Sequence, residues 1–369
     1  MSAPTITRRP RPWRAELDLV GRTLWRMPGC FRIARWLGPH YSLRCVLFHH
    51  VAAPETAFTK GLGISVARGS FESALKFLTR HYTPVRLQDV LDEPDGRRLP
   101  PRPVLVTFDD DYASIREVAA PLCKKHGVPA VCFVNAAYLD NRRLALDNLV
   151  CYATNIIGLG GVNALANVSS PPQRGEFSSM AEVFSDFLPA LSPSAREAFR
   201  KGLMALLGTG EAELSAAAQM YLTSAQLREL AAFDFEIGNH TYSHVHCRSL
   251  TREDLKEEID RNKMELETLT GRTVRAFSVP YGCSEDLTAE LVVHLRHTGH
   301  EAAFLVESLP NGPGADRFGF NRVSIRSQED AGFFSEVEIL PRFRAVRNRL
   351  FNKSSLESGR SGSPLAPAN

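Results

Sequence analysis

The chain has 369 residues, 44% of them hydrophobic and 23% charged, an ordinary globular composition with enough apolar content for one large α/β domain. A formal charge of +3 is small for that length and does not indicate a nucleic-acid binder. The charge is uneven: residues 1–44 hold nine arginines against Glu16 and Asp18, a local balance of +7, which leaves −4 for the remainder.

Cys30, Cys45, Cys123, Cys132, Cys151, Cys247 and Cys283 form no C-x-x-C pair and are odd in number, which reads as free thiols in a reducing compartment. No uninterrupted apolar segment follows the basic N-terminus, and no apolar run approaches the length of a membrane span. The expected location is therefore the cytoplasm, or its membrane face. Residues 1–40 form a basic N-terminal extension that contains Trp13, Trp25 and Trp36. Trp13, Leu17, Val20 and Leu24 share one helical face and Arg14, Asp18, Arg22 and Arg26 another. Peripheral contact with an anionic membrane is one reading. A helix packed on the domain is the other, and Glu16 and Asp18 favour it by diluting the basic face.

Seven apolar runs then read as strands: VLFH (46–49), VLVTF (104–108), AVCFV (130–134), FEIG (235–238), AFSVP (276–280), AAFLV (302–306) and NRVSI (321–325). Helical segments such as SIREVAAPLCKKHG and LTREDLKEEIDRNKMELETLTG separate several of them, each ending in Gly. Alternating strand and helix predicts a parallel sheet covered by helices. The number of units suggests a β/α barrel rather than an open sheet, although periodicity alone does not close one. Residues 140–230 interrupt the rhythm and read as a helical insertion. Ser192-Pro193 is an N-cap and N1 pair, Gly208 a stop, and Thr223 to Gln226 a capping box. Residues 41–345 make the domain, and 346–369 a polar, disordered tail.

Chemically capable residues stand where strands end: His49-His50, Asp109-Asp110-Asp111, and Asn239-His240 with His244. At the C-terminal mouth of a barrel they would converge. If His240-Thr-Tyr-Ser-His244 turns helically, both imidazoles share a face, and two His with one carboxylate form a common catalytic metal arrangement. A second, uncoordinated carboxylate could accept a proton from the activated water.

Thr107-Phe108-Asp109-Asp110, His240-Thr241-Tyr242-Ser243-His244 and Phe277-Ser278-Val279-Pro280-Tyr281-Gly282 resemble, in this order, the first three motifs of the polysaccharide deacetylase family, the NodB-homology carbohydrate esterases. The resemblance runs from about Val46 to Ile325. It implies a distorted β/α barrel of about seven strands and a metal-dependent hydrolase that removes N-acetyl or O-acetyl groups from a hexosamine-containing polysaccharide or its precursor. It implies Asp109 as general base. It implies Asp110, His240 and His244 as ligands of a divalent metal, usually Zn²⁺, and the backbone N–H of Tyr281 as an oxyanion donor. Deacylation of a lipid-linked sugar at the membrane and a catalytically inactive carbohydrate binder are the alternatives.

Two departures stand out. The family often places Arg two residues before the motif-three Pro, to orient the base; here the position is Ser278, with Arg275 nearby but out of register. A late Leu-x-His carrying the general acid is missing. The branch resembling poly-N-acetylglucosamine deacetylases takes that acid from an early strand ending in Tyr-His, and Phe48-His49 matches it. His49 is therefore the expected acid, and His50, on the opposite side of the strand, is not. His246, His294, His297 and His300 are expected away from the metal, and Cys283 has no nucleophilic role. Asp111 stands where the family usually has Gly, so it is expected to serve a turn and face solvent.

Overall fold

The structure is a computed structural model that describes residues 42–358 apart from residues 53, 94, 95, 170–175 and 234, together with Thr23 and Trp25. Eight parallel strands run β1 Arg44–Phe48, β2 Thr83–Pro84, β3 Pro103–Phe108, β4 Ala130–Val134, β5 Phe235–Asn239, β6 Ala276–Ser278, β7 Ala302–Leu305 and β8 Phe318–Ser324. Their order is β1-β8-β7-β6-β5-β4-β3-β2, and β1 also pairs with β3 from Arg44↔Val104 to Phe48↔Phe108. The seven strands expected from sequence thus close into a barrel, and the two-residue β2 hangs beside the start of β3. Two residues carry no periodic signal, which is why β2 was not foreseen.

Side-chain alternation sorts the strands into an inner and an outer set. Val46, Phe48, Val104, Val106, Phe108, Ala130, Cys132 and Val134 pack outward with the helices. Cys45, Leu105, Val131, Phe133, Ala276, Phe304 and Phe320 form a second cluster that fills the barrel, closed from below by Leu87, Val90 and Leu91. The inward set continues at the C-terminal ends as Thr107 on β3 and Asp109 just past it, Ser278 on β6 and Arg322 on β8. Parity therefore aims these polar groups into the mouth. On β5 the inward position above Phe133 is Gly238, where a Cβ would stand 2.3 Å from the Phe133 ring.

The residues between β4 and β5 are largely helical: Leu146–Ser169, Pro193–Leu207, Glu211–Ala218 and Ser224–Ala232 are α-helices. Ser192 Oγ accepts the Ala195 N–H, Gly208 ends that helix in the left-handed region, and Thr223 with Gln226 completes a capping box, as the sequence indicates. The insertion is docked, not loosely appended. Ala113 N–H donates to the Met220 carbonyl and Leu222 N–H to the Asp111 carbonyl, each at 2.7 Å. Tyr112, Tyr138 and Tyr221 stack beneath it, with Asn148 bonded to the hydroxyls of Tyr112 and Tyr221.

Two sequence expectations change. The Leu146–Ser169 helix contains a stretch, Leu146–Asn167, long and apolar enough by length and composition to cross a membrane. Its backbone breaks at Gly158 (φ 78°, ψ 165°), and Asp147, Asn148, Asn155 and Asn163 all bond to protein groups, which suits a packed helix. The final helix, Leu340–Ser358, runs well into the segment expected to be a disordered tail. Within residues 1–40 only Thr23 and Trp25 are described, so the amphipathic-face reading lies outside the described residues. Trp25 itself packs against Phe77, His81 and Phe334 of the barrel's outer layer.

Candidate active site

The end of β3 delivers three carboxylates with three different surroundings. Asp109 faces inward and is 3% exposed. Arg322 grips it bidentately, Nη1 to Oδ1 and Nη2 to Oδ2 at 2.6 Å each, and Ser278 Oγ donates to Oδ2 at 3.1 Å. Arg322 is itself fully buried, lies over the rings of Phe133 and Phe304, and donates to Ser278 Oγ and Thr107 Oγ1. Burial opposes ionisation of Asp109, but the charge and hydrogen bonds of Arg322 outweigh it and hold the carboxyl well below the usual carboxylate range.

The turn expected at Asp111 is made by Asp110, whose backbone is left-handed (φ 58°). That turn swings its carboxylate toward the two imidazoles. Oδ1 lies 3.7 Å from His240 Nε2 and 3.6 Å from His244 Nε2. Asp111 is a correction. It is fully buried rather than solvated, has no hydrogen bond of good geometry to either carboxyl oxygen, and contributes its carbonyl to Leu222. Burial and the neighbouring Asp110 charge push its carboxyl well above the ordinary range.

His240 and His244 meet without a helix. The segment after β5 is irregular, with Thr241 (φ 62°) and His244 (φ 51°) left-handed, so the helical-turn expectation is replaced by a pinned loop. Asn135 Nδ2 bonds the His240 and Thr241 carbonyls. Asn239 Oδ1 accepts the Thr241 N–H, and Glu258 accepts both the N–H and hydroxyl of Ser243. Each imidazole has its Nδ1 taken: His240 by the Ser278 carbonyl at 2.7 Å, His244 by Asp147 Oδ2 at 2.8 Å. An acceptor at Nδ1 puts the proton there and turns the Nε2 lone pair toward Asp110.

The three donor atoms lie within 4.8 Å of one another. A tetrahedral ion with ligands at about 2.1 Å spaces them by about 3.4 Å, close to the separations from Asp110. Burial also pushes His240 down to about 3 and Asp110 up to about 6, so the imidazole is neutral and the carboxylate lacks compensation that a cation would give. The residues present fit a divalent metal, with the Asp–His–His membership expected from sequence.

His49 ends β1 on the inward parity of Cys45, close enough to Asp109, Arg322, Arg326 and His244 to feel their charges. Burial pushes it down to about 4, so it is neutral at rest. His50 points elsewhere and bonds Ser114 Oγ. Tyr281 sits at φ 62° in the turn after β6. Its hydroxyl bonds both oxygens of Asp147 at 3.0 Å, and the His246 ring stacks on it at 3.7 Å with a 4° interplanar angle. Gly282 follows at φ 66°, where a Cβ would strike Val306.

Sequence reasoning missed Arg322, Asp147 and Arg196. The missing clamp is supplied by Arg322 from β8, whereas Arg275 pairs with Glu301 and Asp92. An Arg inside the apolar run NRVSI was the available signal. Arg196, on the Pro193–Leu207 helix, is buried and donates to the carbonyls of His244 and Leu188 and toward the Tyr281 hydroxyl. His246 is buried against Tyr281 and Asp286, His294 meets Asp260, and His300 is buried on Asn239; none joins the donor cluster.

A closed β/α barrel with a clamped carboxylate beside an Asp–His–His cluster at its mouth defines a hydrolase of the deacetylase class. The family model described as polysaccharide deacetylase matches residues 96–300, more than half of the chain, and the chain belongs to that family of carbohydrate-modifying enzymes. Among solved structures, the Streptococcus pyogenes deacetylase PplD, in complex with acetate, is 13% identical with a TM-score of 0.54, covering 80% of this chain and 98% of that one. BC0361, a polysaccharide deacetylase from Bacillus cereus, is 15% identical with a TM-score of 0.51, covering 80% of this chain and 69% of that one. These likenesses concern the fold. No curated protein sequence matches the chain.

Proposed function

We propose that the protein is a divalent-metal-dependent N-deacetylase acting on acetylated hexosamine in a polysaccharide. The observation that carries this reading is the convergence of His240 Nε2, His244 Nε2 and Asp110 Oδ1 beside a separately clamped carboxylate, Asp109. Two imidazoles and one carboxylate suit zinc best. When bound, the ion supplies a Lewis acid that lowers the pKa of water toward 7 and polarises the acyl carbonyl.

The chain's own residues supply the rest. Asp109 is the base that takes the proton of the attacking water on a carboxylate oxygen. Arg322 and Ser278 fix that carboxylate so that its remaining lone pairs face the mouth. The backbone N–H of Tyr281 donates to the developing oxyanion as the carbon–oxygen bond forms. His49 delivers a proton to the amine nitrogen as the carbon–nitrogen bond breaks. It is neutral at rest, so it must receive during turnover the proton that Asp109 took from water, a transfer that restores the Asp109 charge favouring the imidazolium.

Acetate release from N-acetylglucosamine oligomers, with Zn²⁺ returned after chelation, tests the reading. Release is expected only with metal. Asp109→Asn and Asp110→Asn should each fall to background. Asp111→Asn should keep turnover, because its side chain bonds none of the reacting groups. His49→Ala should lower kcat by about 10²-fold or more. Absence of metal-dependent release from any N-acylated sugar would overturn the assignment, and an unchanged kcat in His49→Ala would remove His49 from it.

A further inference from the structure

Besides Asp110, two residues at the mouth hold non-glycine backbone in the left-handed region while carrying chemistry: His244 (φ 51°) and Tyr281 (φ 62°). Such conformations cost of order 1–3 kcal/mol each and persist only where surrounding contacts over-determine them. Both are tied to one side chain. Asp147 Oδ2 accepts from His244 Nδ1 at 2.8 Å, and the Tyr281 hydroxyl donates to the same carboxylate at 3.0 Å from each oxygen. Asp147 lies in the first turn of the Leu146–Ser169 helix, where the helix dipole favours a negative charge. Its side chain is 14% exposed, so the pair is little screened.

The supporting contacts point the same way. Arg196, from a second helix of the insertion, bonds the His244 carbonyl at 3.1 Å and reaches the Tyr281 hydroxyl at 3.5 Å. The His244 and Tyr281 rings stand 4.6 Å apart between centroids, and the His246 ring stacks on the phenol ring. Asp286 then holds His246, and Arg248 holds Asp286. The phenol is therefore an anchor for the turn that aims the Tyr281 backbone N–H. The carboxylates within the three motifs shared with the family, Asp109 and Asp110, are engaged by Arg322 and by the donor cluster, so this one comes from outside them.

We propose that Asp147 is a positioning residue through which the helical insertion completes the active site: it fixes His244 with Nε2 toward the metal position and, through the Tyr281 hydroxyl, sets the oxyanion-binding turn. The inference rests on the deacetylase reading of this site. It separates two effects that a general packing role would merge. Loss of the Asp147 charge should weaken the grip on the metal, because a carboxylate raises the basicity of the imidazole it holds. Loss of the Tyr281 hydroxyl alone should leave that grip and slow the reaction.

The test uses the full chain with Zn²⁺ as probe, in competition with a chromogenic chelator. Asp147→Asn preserves the shape and should weaken Zn²⁺ binding by about 10- to 100-fold. Tyr281→Phe should leave Zn²⁺ affinity within about threefold while lowering kcat, since His244 Nδ1 keeps its own bond to Asp147 Oδ2 without the phenol hydroxyl. Nitrogen-15 imidazole spectra of metal-free wild-type protein, with His244 assigned by its loss in His244→Ala, should show the proton on Nδ1. Unchanged Zn²⁺ affinity in Asp147→Asn overturns the inference, and so does a wild-type His244 proton on Nε2. The spectra decide the matter even if Asp147→Asn does not fold. A wild-type protein that folds, shows the Nδ1 tautomer and binds no divalent ion would instead overturn the metal reading.

Discussion

Arg322 is the residue on which the base depends and the one least visible beforehand. It is fully buried and its only carboxylate partner among the described residues is Asp109, which is 3% exposed. Removing one member of such a pair leaves a buried charge without compensation, at a cost of about 3–5 kcal/mol. Arg322→Gln should therefore lose stability on that scale in urea unfolding, together with most of kcat. Asp109→Asn combined with Arg322→Gln should cost less than the two single losses added, because no lone charge remains. Strict additivity would mean that the two side chains do not work as a pair. The absent Arg at Ser278 was readable as a departure, but its replacement was not. Locating Arg322 requires knowing that β8 and β6 put their inward side chains at one level across a closed barrel. Asp109 and Asp110, by contrast, were separable in sequence because the family motif distinguishes adjacent acids.

At the scale of the element, strands and caps were legible and loop conformations were not. The strands announce themselves as short apolar runs, since both faces of a barrel strand are buried, and Thr223, Gln226, Ser192 and Gly208 cap the helices the sequence places there. The loop after β5 is different: its shape comes from Asn135, Glu258 and Asn262, which lie far away in sequence. No local pattern separates that loop from a helical turn. Gly238 marks the point where strand and core meet most closely. A methyl group there would stand 2.3 Å from the Phe133 ring, which also lies under Arg322. Gly238→Ala should therefore cost about 1–3 kcal/mol in urea unfolding. It should also lower kcat through Arg322, although it bonds no reacting group. A stability equal to wild type would show that the Phe133 ring can move aside freely.

Across the whole molecule, the mouth of the barrel is braced from its outer layer, and one brace titrates. Asn239, at the end of β5, uses its amide oxygen to accept from Thr241 N–H and Asn262 Nδ2. Its amide nitrogen therefore faces the Ile259 carbonyl and His300 Nε2, which must be an acceptor. His300 Nδ1 then carries the proton toward Thr298 Oγ1 at 2.9 Å. The ring is buried and neutral, and burial pushes its pKa down from 6.5 to about 3. A folded-state value below the unfolded one means that the unfolded chain binds the proton first as pH falls. The stabilisation is thus complete above pH 6.5 and is progressively lost between there and about pH 3. One such histidine should remove about 2 kcal/mol between pH 7.5 and pH 5. Other histidines whose pKa is lowered contribute in the same direction, among them His49, His50 and His246. The His300 share is isolated by comparing urea unfolding of wild type and His300→Gln at both pH values, under identical chelator. The variant should be less stable at pH 7.5 yet lose about 2 kcal/mol less on acidification, because it removes one proton from the unfolded side of the balance. Equal acid losses in the two proteins would mean that His300 takes up its proton within the fold and does not brace Asn239 as a neutral acceptor.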